Sequence, residues 1–468
     1  MATTSKQVEP KKRKKKVSAD YVAPAPWTVK NACKHGDILT KISFVIFGVS
    51  NLARKQIVKG ILLLAVEALY VLYMVTTGAT AIDKLINGLY GTKAEQVFVN
   101  GLPVQSQEEY SVTILLYGVA AFFFTVCFVW FWTVNVRSAY KAQYLKETQG
   151  RAPGFLDDIL DLKDGRAYVS MLFLPILGIL IFTILPLIFM ISMAFTSYDS
   201  GHSSHFRWVG LANFKTVLSD NGGQVNIHQF MSVLAWTLIW AFFATFLNYF
   251  LGMFIAMVIN RKTTKFKNFW RGVFSLSIAV PQFVSLLVMH SMLQPEGAIN
   301  RLLRSWGWIQ GSLPFFTNAT WARVTVIVIN LWVGIPFTIM QVTGILQNIP
   351  TDLYEAADLD GANWWQKFRN ITMPYMIFVT TPYLITTFTG NVNNFNVIYL
   401  LSGGDPTPVG ASAGKTDLLI TWLYKLTVDK YDYNIGAVIG IFTFIVLAVV
   451  SLLTYRNSGS YKNEEGFR

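Results

Sequence analysis

The sequence predicts an all-α, polytopic membrane protein of about eight transmembrane helices. Three observations carry this expectation. Apolar residues make up 53% of the 468-residue chain and charged residues only 14%, far from the charge-rich, apolar-poor composition of disorder. Eight stretches approach the roughly 20 mostly apolar residues needed to cross a hydrocarbon core. The Lys and Arg gather in alternate connecting segments. Length alone would suggest about three soluble domains, and a net charge of +13 would suit a nucleic-acid binder. A chain with 35 Phe and 14 Trp is better read as a membrane protein.

The spans fall near 57–77, 112–133, 168–196, 232–259, 272–293, 322–346, 373–400 and 435–455. The second and third carry no charge at their centres. Pro281 interrupts the fifth. Pro382, Thr387 and several asparagines interrupt the seventh. Such residues are tolerated where neighbouring helices satisfy the freed backbone groups, so these two spans should face protein or a cavity rather than lipid. The stretch Ile42–Ala53 is short and ends at Arg54-Lys55, which reads as an interfacial helix. The first apolar run lies past residue 40, and no signal peptide is expected.

An even number of spans puts both termini on one side. If that side is the cytoplasm, the segments 1–56, 134–167, 260–271, 347–370 and 456–468 are inside and hold 28 Lys and Arg, against 9 in the outside loops. The bias predicts a plasma-membrane protein with both termini cytoplasmic. The run Lys11–Lys16 can be read as nucleic-acid binding or nuclear targeting, or as a basic tail drawn to anionic lipid. The spans that follow it favour lipid as partner and no nucleic acid. Glu67 and His290 are intramembrane ionisable groups and so functional candidates by default. Neither has a visible proton-relay partner, which favours structural pairing. Cys33 and Cys127 are too few for a disulfide scaffold or a cysteine zinc site. They are expected to be free thiols, and no metal site is expected. No G-x-x-x-x-G-K-[ST] is present. Gly403-Gly404 and Gly414-Lys415-Thr416 are wrongly spaced, so the chain should bind no ATP itself.

The segment 347–376 is the most diagnostic. Pro350 and Thr351 read as a helix start, with Thr351 as N-cap. Asp352 and Glu355 suit the positive end of the helix dipole. Gly361 permits a sharp turn, and Trp364, Trp365 and Phe368 then open an amphipathic helix that leads through Ile371 and Pro374 into the seventh span. Glu355-Ala356-Ala357 stands three residues before Gly361, and nine residues separate Gly361 from Ile371. This resembles the E-A-A loop of ABC importer permeases, with Met373 where leucine is usual. The resemblance implies a mechanical joint: Glu355, Ala356, Ala357 and Gly361 would couple the chain to a cytoplasmic ATPase.

Trp332–Phe337, Phe388–Asn396, Leu400–Gly404 and Ala413–Leu419 are similar to the MalF-type permeases of maltose/maltodextrin importers. The similarity covers about residues 230–455 and implies the type I ABC importer permease fold. The chain then divides into a basic tail with interfacial helix (1–56), spans one to three with short outer loops (57–231), a core permease region with the coupling loop at 347–374 (232–455), and a tail (456–468). The resemblance also implies partners: a second homologous permease, two ATPase subunits holding ATP and Mg, and an extracytoplasmic sugar-binding protein. The loop at about 197–231 is short where some members of this family carry a large outer domain.

Sugar sites need a few polar groups converging in an apolar cavity, and transporters build them on interrupted helices near the membrane middle. Asn330, Gly334 and Phe337 share one helical face of span six, and Thr387, Asn391 and Asn394 repeat the spacing in span seven. The same residues also suit interhelical hydrogen bonding, with Gly334 as a close-packing contact. The resemblance assigns sugar contacts to Asn330, Val333, Gly334, Phe337, Thr387, Gly390, Asn391 and Asn394. Ile278, Phe337 and Gly390 depart from it by lacking an aromatic ring or its hydroxyl. Asn393 and Asn396 fall on another face, where packing contacts are expected. The expected function is a non-enzymatic permease subunit importing maltose/maltodextrin-like oligosaccharides, with galacto-, arabino- or mixed-sugar oligomers as alternatives. The rivals are a membrane-embedded glycosyltransferase, for which the first long loop offers Asp83, Glu95, Glu108 and Glu109 without metal-ligand spacing, and an ion-coupled transporter, which would need paired buried carboxylates.

Overall fold

The computed structural model describes residues 26–99, 102–220, 222–261 and 263–457. The basic run Lys11–Lys16 and the tail beyond Asn457 lie outside them. Seven helices are long and apolar enough to cross a membrane: Ile57–Asn87, Ser111–Gln149, Ala167–Met193, Ile227–Asn260, Ala319–Leu346, Trp364–Leu401 and Tyr433–Arg456. Where an eighth span was expected, the described residues form a broken pair, Lys267–Ala279 and Gln282–Leu293, bent by 84°. The break has a local cause. Proline disfavours helical geometry in the residue before it, and Val280 is extended at φ −80°, ψ 124°. One feature departs from an all-helical chain: a short hairpin pairs Gln96–Val99 with Leu102–Gln105, and its four-residue strands are too short to stand out in the sequence.

The chain divides into two compact units, Met1–Phe189 and Met190–Arg468. The boundary expected at 231/232 therefore moves earlier. Residues 190–231 pack with the second unit because Asn213 donates to the carbonyls of Ala194 and Thr196 at 2.8 and 2.7 Å and accepts from Asn434.

In the first unit, the expected interfacial helix over Ile42–Ala53 is instead two short helices, Ile38–Ile42 and Val49–Ala53. Gly48 sits between them at φ +74°, where a Cβ would run into the Gly60 carbonyl. The N-H of Phe47 donates to Glu67 at 2.8 Å. The turn thus supplies the partner that the carboxylate lacked in the sequence. Beside it, Arg54 pairs with Asp37 at 2.6 Å, and Gln143 accepts from the Asp37 N-H and the Thr40 hydroxyl, both at 2.9 Å. Burial pushes the Asp37 carboxyl up, but hydrogen bonds from Thr40 and the Arg54 guanidinium outweigh it and hold the group below its ordinary value. Cys33 is exposed, Cys127 is half-buried, and both are free.

The second unit is organised around a buried carboxylate. Asp417 is wholly buried. It accepts from Lys425 Nζ and the Gly414 N-H at 2.7 Å each, and from the Thr421 hydroxyl at 2.9 Å. Burial pushes this carboxyl up, and the Lys425 charge pulls against that shift. The Gly414-Lys415-Thr416 turn therefore frames a carboxylate, with Gly404 at φ +86° packed against Gly414. His290 belongs to the same scaffold. Its Nδ1 lies 2.6 Å from the Leu401 carbonyl, and its ring stacks on Phe316.

Removing one partner of a buried, hydrogen-bonded ion pair leaves the other uncompensated. Asp417→Ala is therefore expected to destabilise the protein by about 3–5 kcal/mol. Thermal unfolding in detergent should show a large fall in midpoint, whereas Asp220→Ala, at an exposed pair with His228, should leave it nearly unchanged.

Candidate membrane cavity and coupling loop

Four spans of the second unit enclose a cavity of about 310 Å³. This lies in the range of small-molecule sites, roughly 300–1,000 Å³. The fourth span contributes Thr245, Asn248 and Tyr249, just where a wide-turn segment, Phe243–Leu247, interrupts its helix. The broken fifth span contributes Ser277, Ile278, Val280, Pro281, Gln282 and Ser285 from both sides of its bend. The sixth span contributes Asn330, Trp332, Val333, Gly334, Phe337 and Thr338, and the seventh Tyr383, Leu384, Thr387, Asn391 and Asn394.

Seven of the eight residues singled out in the sequence are brought together on this wall. Gly390 is not among them. It is exposed, and a Cβ there would meet nothing within 4 Å. Asn393 and Asn396, expected as packing contacts, are exposed instead. The seventh span ends its first helix at Val392, and Asn394 caps a new one, Phe395–Leu401, by accepting from the Val397 N-H at 3.2 Å. That break swings both asparagines out of the packed face.

The polar groups on the wall are of two kinds. Some hold the helices together. Asn391 donates to the Thr245 hydroxyl at 3.0 Å, its carbonyl accepts from the Trp240 indole at 3.1 Å, and Asn394 donates to Asn391. Gly334 is also a close-packing contact, since a Cβ there would lie 2.5 Å from Asn248 Nδ2. The interhelical bonding and close packing expected of these residues are thus present. The rest are unspent. The side-chain polar atoms of Asn330, Gln282, Tyr383 and Thr387 have no partner among the described residues. Asn330 is only 5% exposed, whereas Tyr383 and Thr387 are half-buried and Gln282 is exposed, so the Asn330 amide is the sheltered one on this wall. Asn248 and Gln282 escaped sequence reasoning. Asn248 lies in a span with no visible break, and Gln282 was masked by attention to Pro281.

A larger cleft, about 400 Å³, lies in the first unit between Thr77 and Tyr117. It is built around the ion pair of Lys84 with Glu109 and gathers none of the residues singled out for binding.

The coupling loop forms the short helix Thr351–Leu359, a turn at Gly361 (φ +74°), and a second helix from Trp364. Pro350, rather than Thr351, occupies the cap position, and Thr351 is the first helical residue. Proline fixes the entry φ without any side-chain cap. The Ala362 N-H returns to the Ala357 carbonyl at 2.9 Å. Asn363 and Gln366 form a capping box. The expected amphipathic helix and seventh span are one continuous rod, joined through the wide turn Phe368–Thr372. Tyr354 clamps the short helix to this rod through the Thr372 hydroxyl at 2.8 Å, and Lys367 pairs with Asp358. Glu355 and Ala356 are exposed, as is Leu359. The helix thus presents an outer face to which the described residues supply no cover.

With this geometry in hand, comparison with known proteins is direct. Residues 248–459 match the family of binding-protein-dependent transport system inner membrane components. The galactooligosaccharides transport permease GanP of Bacillus subtilis (strain 168) is 34% identical over 428 residues, covering 90% of this chain and 97% of the relative. The maltodextrin transport permease MalC of Streptococcus pneumoniae is 32% identical over 433 residues, covering 90% and 96%. MalF of Vibrio parahaemolyticus is 33% identical over 254 residues, covering 53% of this chain and 48% of its own. The chain belongs to this family of binding-protein-dependent inner membrane components, the permeases of ABC importers. A bacterial ABC transporter for the acidic polysaccharide alginate superposes with TM-score 0.51 over 63% of this chain and 96% of its own, at 24% identity. That likeness speaks to the fold alone.

A single hydrogen bond is worth about 1 kcal/mol. Tyr354→Phe should therefore loosen the Thr351–Leu359 helix without unfolding the spans. Hydrogen exchange should speed up severalfold across these residues and stay unchanged in 319–346.

Proposed function

We propose that this chain is the transmembrane permease subunit of an ATP-driven importer of neutral oligosaccharides of the maltose/maltodextrin kind. One observation carries the substrate class. The cavity wall combines amides, hydroxyls and aromatic rings, and among the described residues it contains no Asp, Glu, His, Lys or Arg. A neutral, polyhydroxylated ligand matches such a wall. An ion-coupled carrier would need a carboxylate there, and a glycosyltransferase an acidic catalytic group. Maltodextrin relatives similar over nearly the whole chain point the same way. A second reading, galacto-oligosaccharides, is favoured by the similarity to GanP.

In this proposal both termini are cytoplasmic, and a second homologous permease completes the pathway. Two ATPase subunits, which bind ATP and Mg, seat the Thr351–Leu359 helix through Ala356 and Ala357, with Glu355 at the rim and Gly361 as the turn. An outer sugar-binding protein delivers the ligand, docking without the large domain that the short 197–231 loop lacks. The chain performs no hydrolysis itself. Its residues orient the sugar and transmit motion. Tyr354 ties the coupling helix to the rod that carries Thr387 and Asn391, so displacement of the helix pulls on the binding wall along a rigid lever.

The reconstituted complex with its binding protein tests this. Maltotriose is expected to stimulate ATP hydrolysis and to accumulate in vesicles only with ATP. Asn330→Ala should weaken sugar uptake roughly tenfold. Glu355→Ala and Gly361→Pro should leave sugar binding intact and abolish its coupling to hydrolysis. Normal sugar-stimulated hydrolysis in both coupling variants would refute the coupling role, and uptake without ATP would refute the importer.

A further inference from the structure

A narrow groove of about 190 Å³ lies at the end of the fourth span beside the coupling loop. Phe254, Met257, Val258 and Arg261 line it from one face of that helix, and Trp364, the first residue of the rod, flanks it. Phe254, Val258 and Trp364 are exposed. Four of the five lining side chains are apolar. The fifth, Arg261, ends the helix, is exposed, and has no ion pair among the described residues.

The neighbours of Arg261 add charge of the same sign. Lys267 Nζ reaches the Asn260 carbonyl at 3.3 Å, and the Arg271 guanidinium donates to the Asn260 side chain. Three cations thus gather at the end of one helix, and two of them rest on neutral acceptors. Residues 260–271 hold five Lys and Arg and no Asp or Glu. Lys267 and Arg271 also stand four apart on one helix, where like charges repel. A bound anion relieves that repulsion.

Aromatic residues set the depth of this cluster. Phe266, Phe269 and Trp270 are exposed on the same segment. Exposed aromatic rings among Lys and Arg mark the boundary between headgroups and hydrocarbon. From Arg261 at that boundary, the groove descends roughly 10 Å along the helix to Phe254, into the hydrocarbon.

We propose that this groove binds one anionic phospholipid of the cytoplasmic leaflet. Its phosphate rests on Arg261, in the field of Lys267 and Arg271. An acyl chain lies along Phe254, Met257 and Val258 against Trp364. A soluble anion matches the cations but leaves the apolar groove unfilled. A zwitterionic lipid fills the groove but brings a positive charge to a positive cluster. An anionic phospholipid answers both. Seated between the fourth span and Trp364, it braces the rod where it leaves the coupling turn. The leaflet assignment rests on the topology proposed above.

Native mass spectrometry of the full chain in detergent tests this, with an equimolar mixture of phosphatidylglycerol and phosphatidylcholine. One phosphatidylglycerol per chain is expected to be retained in preference. Arg261→Gln should weaken its binding roughly fivefold and leave phosphatidylcholine unchanged. Val258→Trp, which fills the groove, should expel the lipid with all three cations in place. The complex assembled with its ATPase subunits should keep the lipid. Equal retention of the two lipids, or undiminished phosphatidylglycerol in either variant, overturns the proposal. So does loss of the lipid on assembly, which would assign the groove to an acidic face of the ATPase. No sugar is present and detergent has no sides, so these outcomes leave the oligosaccharide reading and the topology untouched.

Discussion

Inside a hydrocarbon core, every backbone N-H and C=O must find its partner within the protein. The structure of this permease follows from that constraint. A helix in such a medium breaks only where other protein groups can take over the abandoned bonds. In the second unit, the interruptions of four spans converge on one cavity. The fifth span bends at Pro281, the seventh restarts at Asn394, the fourth widens over Phe243–Leu247, and the sixth carries Pro336 within its helix. Side chains repair the damage, with Asn394 capping the restarted helix and the Trp240 indole bonding the Asn391 carbonyl. The cavity is the space these interruptions leave, and the groups not consumed by repair face into it.

Close packing holds the walls in register. The fourth and sixth spans touch backbone to side chain at Gly252 against Thr338 and at Gly334 against Asn248. Small residues allow such approach between membrane helices. The connection from the loop to the cavity is equally direct. From Trp364 the chain runs as a rod through the wide turn at Phe368–Thr372 to the cavity-lining asparagines. No soft linker separates the Thr351–Leu359 helix from the cavity wall.

Much of this was legible in the sequence because membrane physics writes it plainly. Twenty-residue apolar runs gave the seven membrane-length helices and the broken fifth pair, and Pro281 and Pro382 marked two of these segments as facing protein or a cavity. The spacing from Glu355 through Gly361 to Ile371 gave the coupling loop. Helical spacing brought Asn330, Gly334 and Phe337 to one wall, and Thr387, Asn391 and Asn394 to the other. What stayed hidden depends on geometry between elements. Nothing in the run around Asn248 announces that its amide would meet Gly334, nor that Tyr354 would clamp Thr372. Gly390 followed from resemblance alone, and it does not line the cavity. Glu67 looked like an unpaired intramembrane acid until the turn at Phe47 supplied its donor.

The central claim is that the cavity framed by the broken spans holds the oligosaccharide. Photoaffinity labelling tests it most directly, with a maltotriose carrying a small diazirine reacted with the reconstituted complex and the adducts mapped by mass spectrometry. The account predicts sugar-protectable labels confined to 244–249, 277–285, 330–338 and 383–394 in this chain. Protectable labelling of the cleft between Thr77 and Tyr117, with none in those four segments, would contradict it.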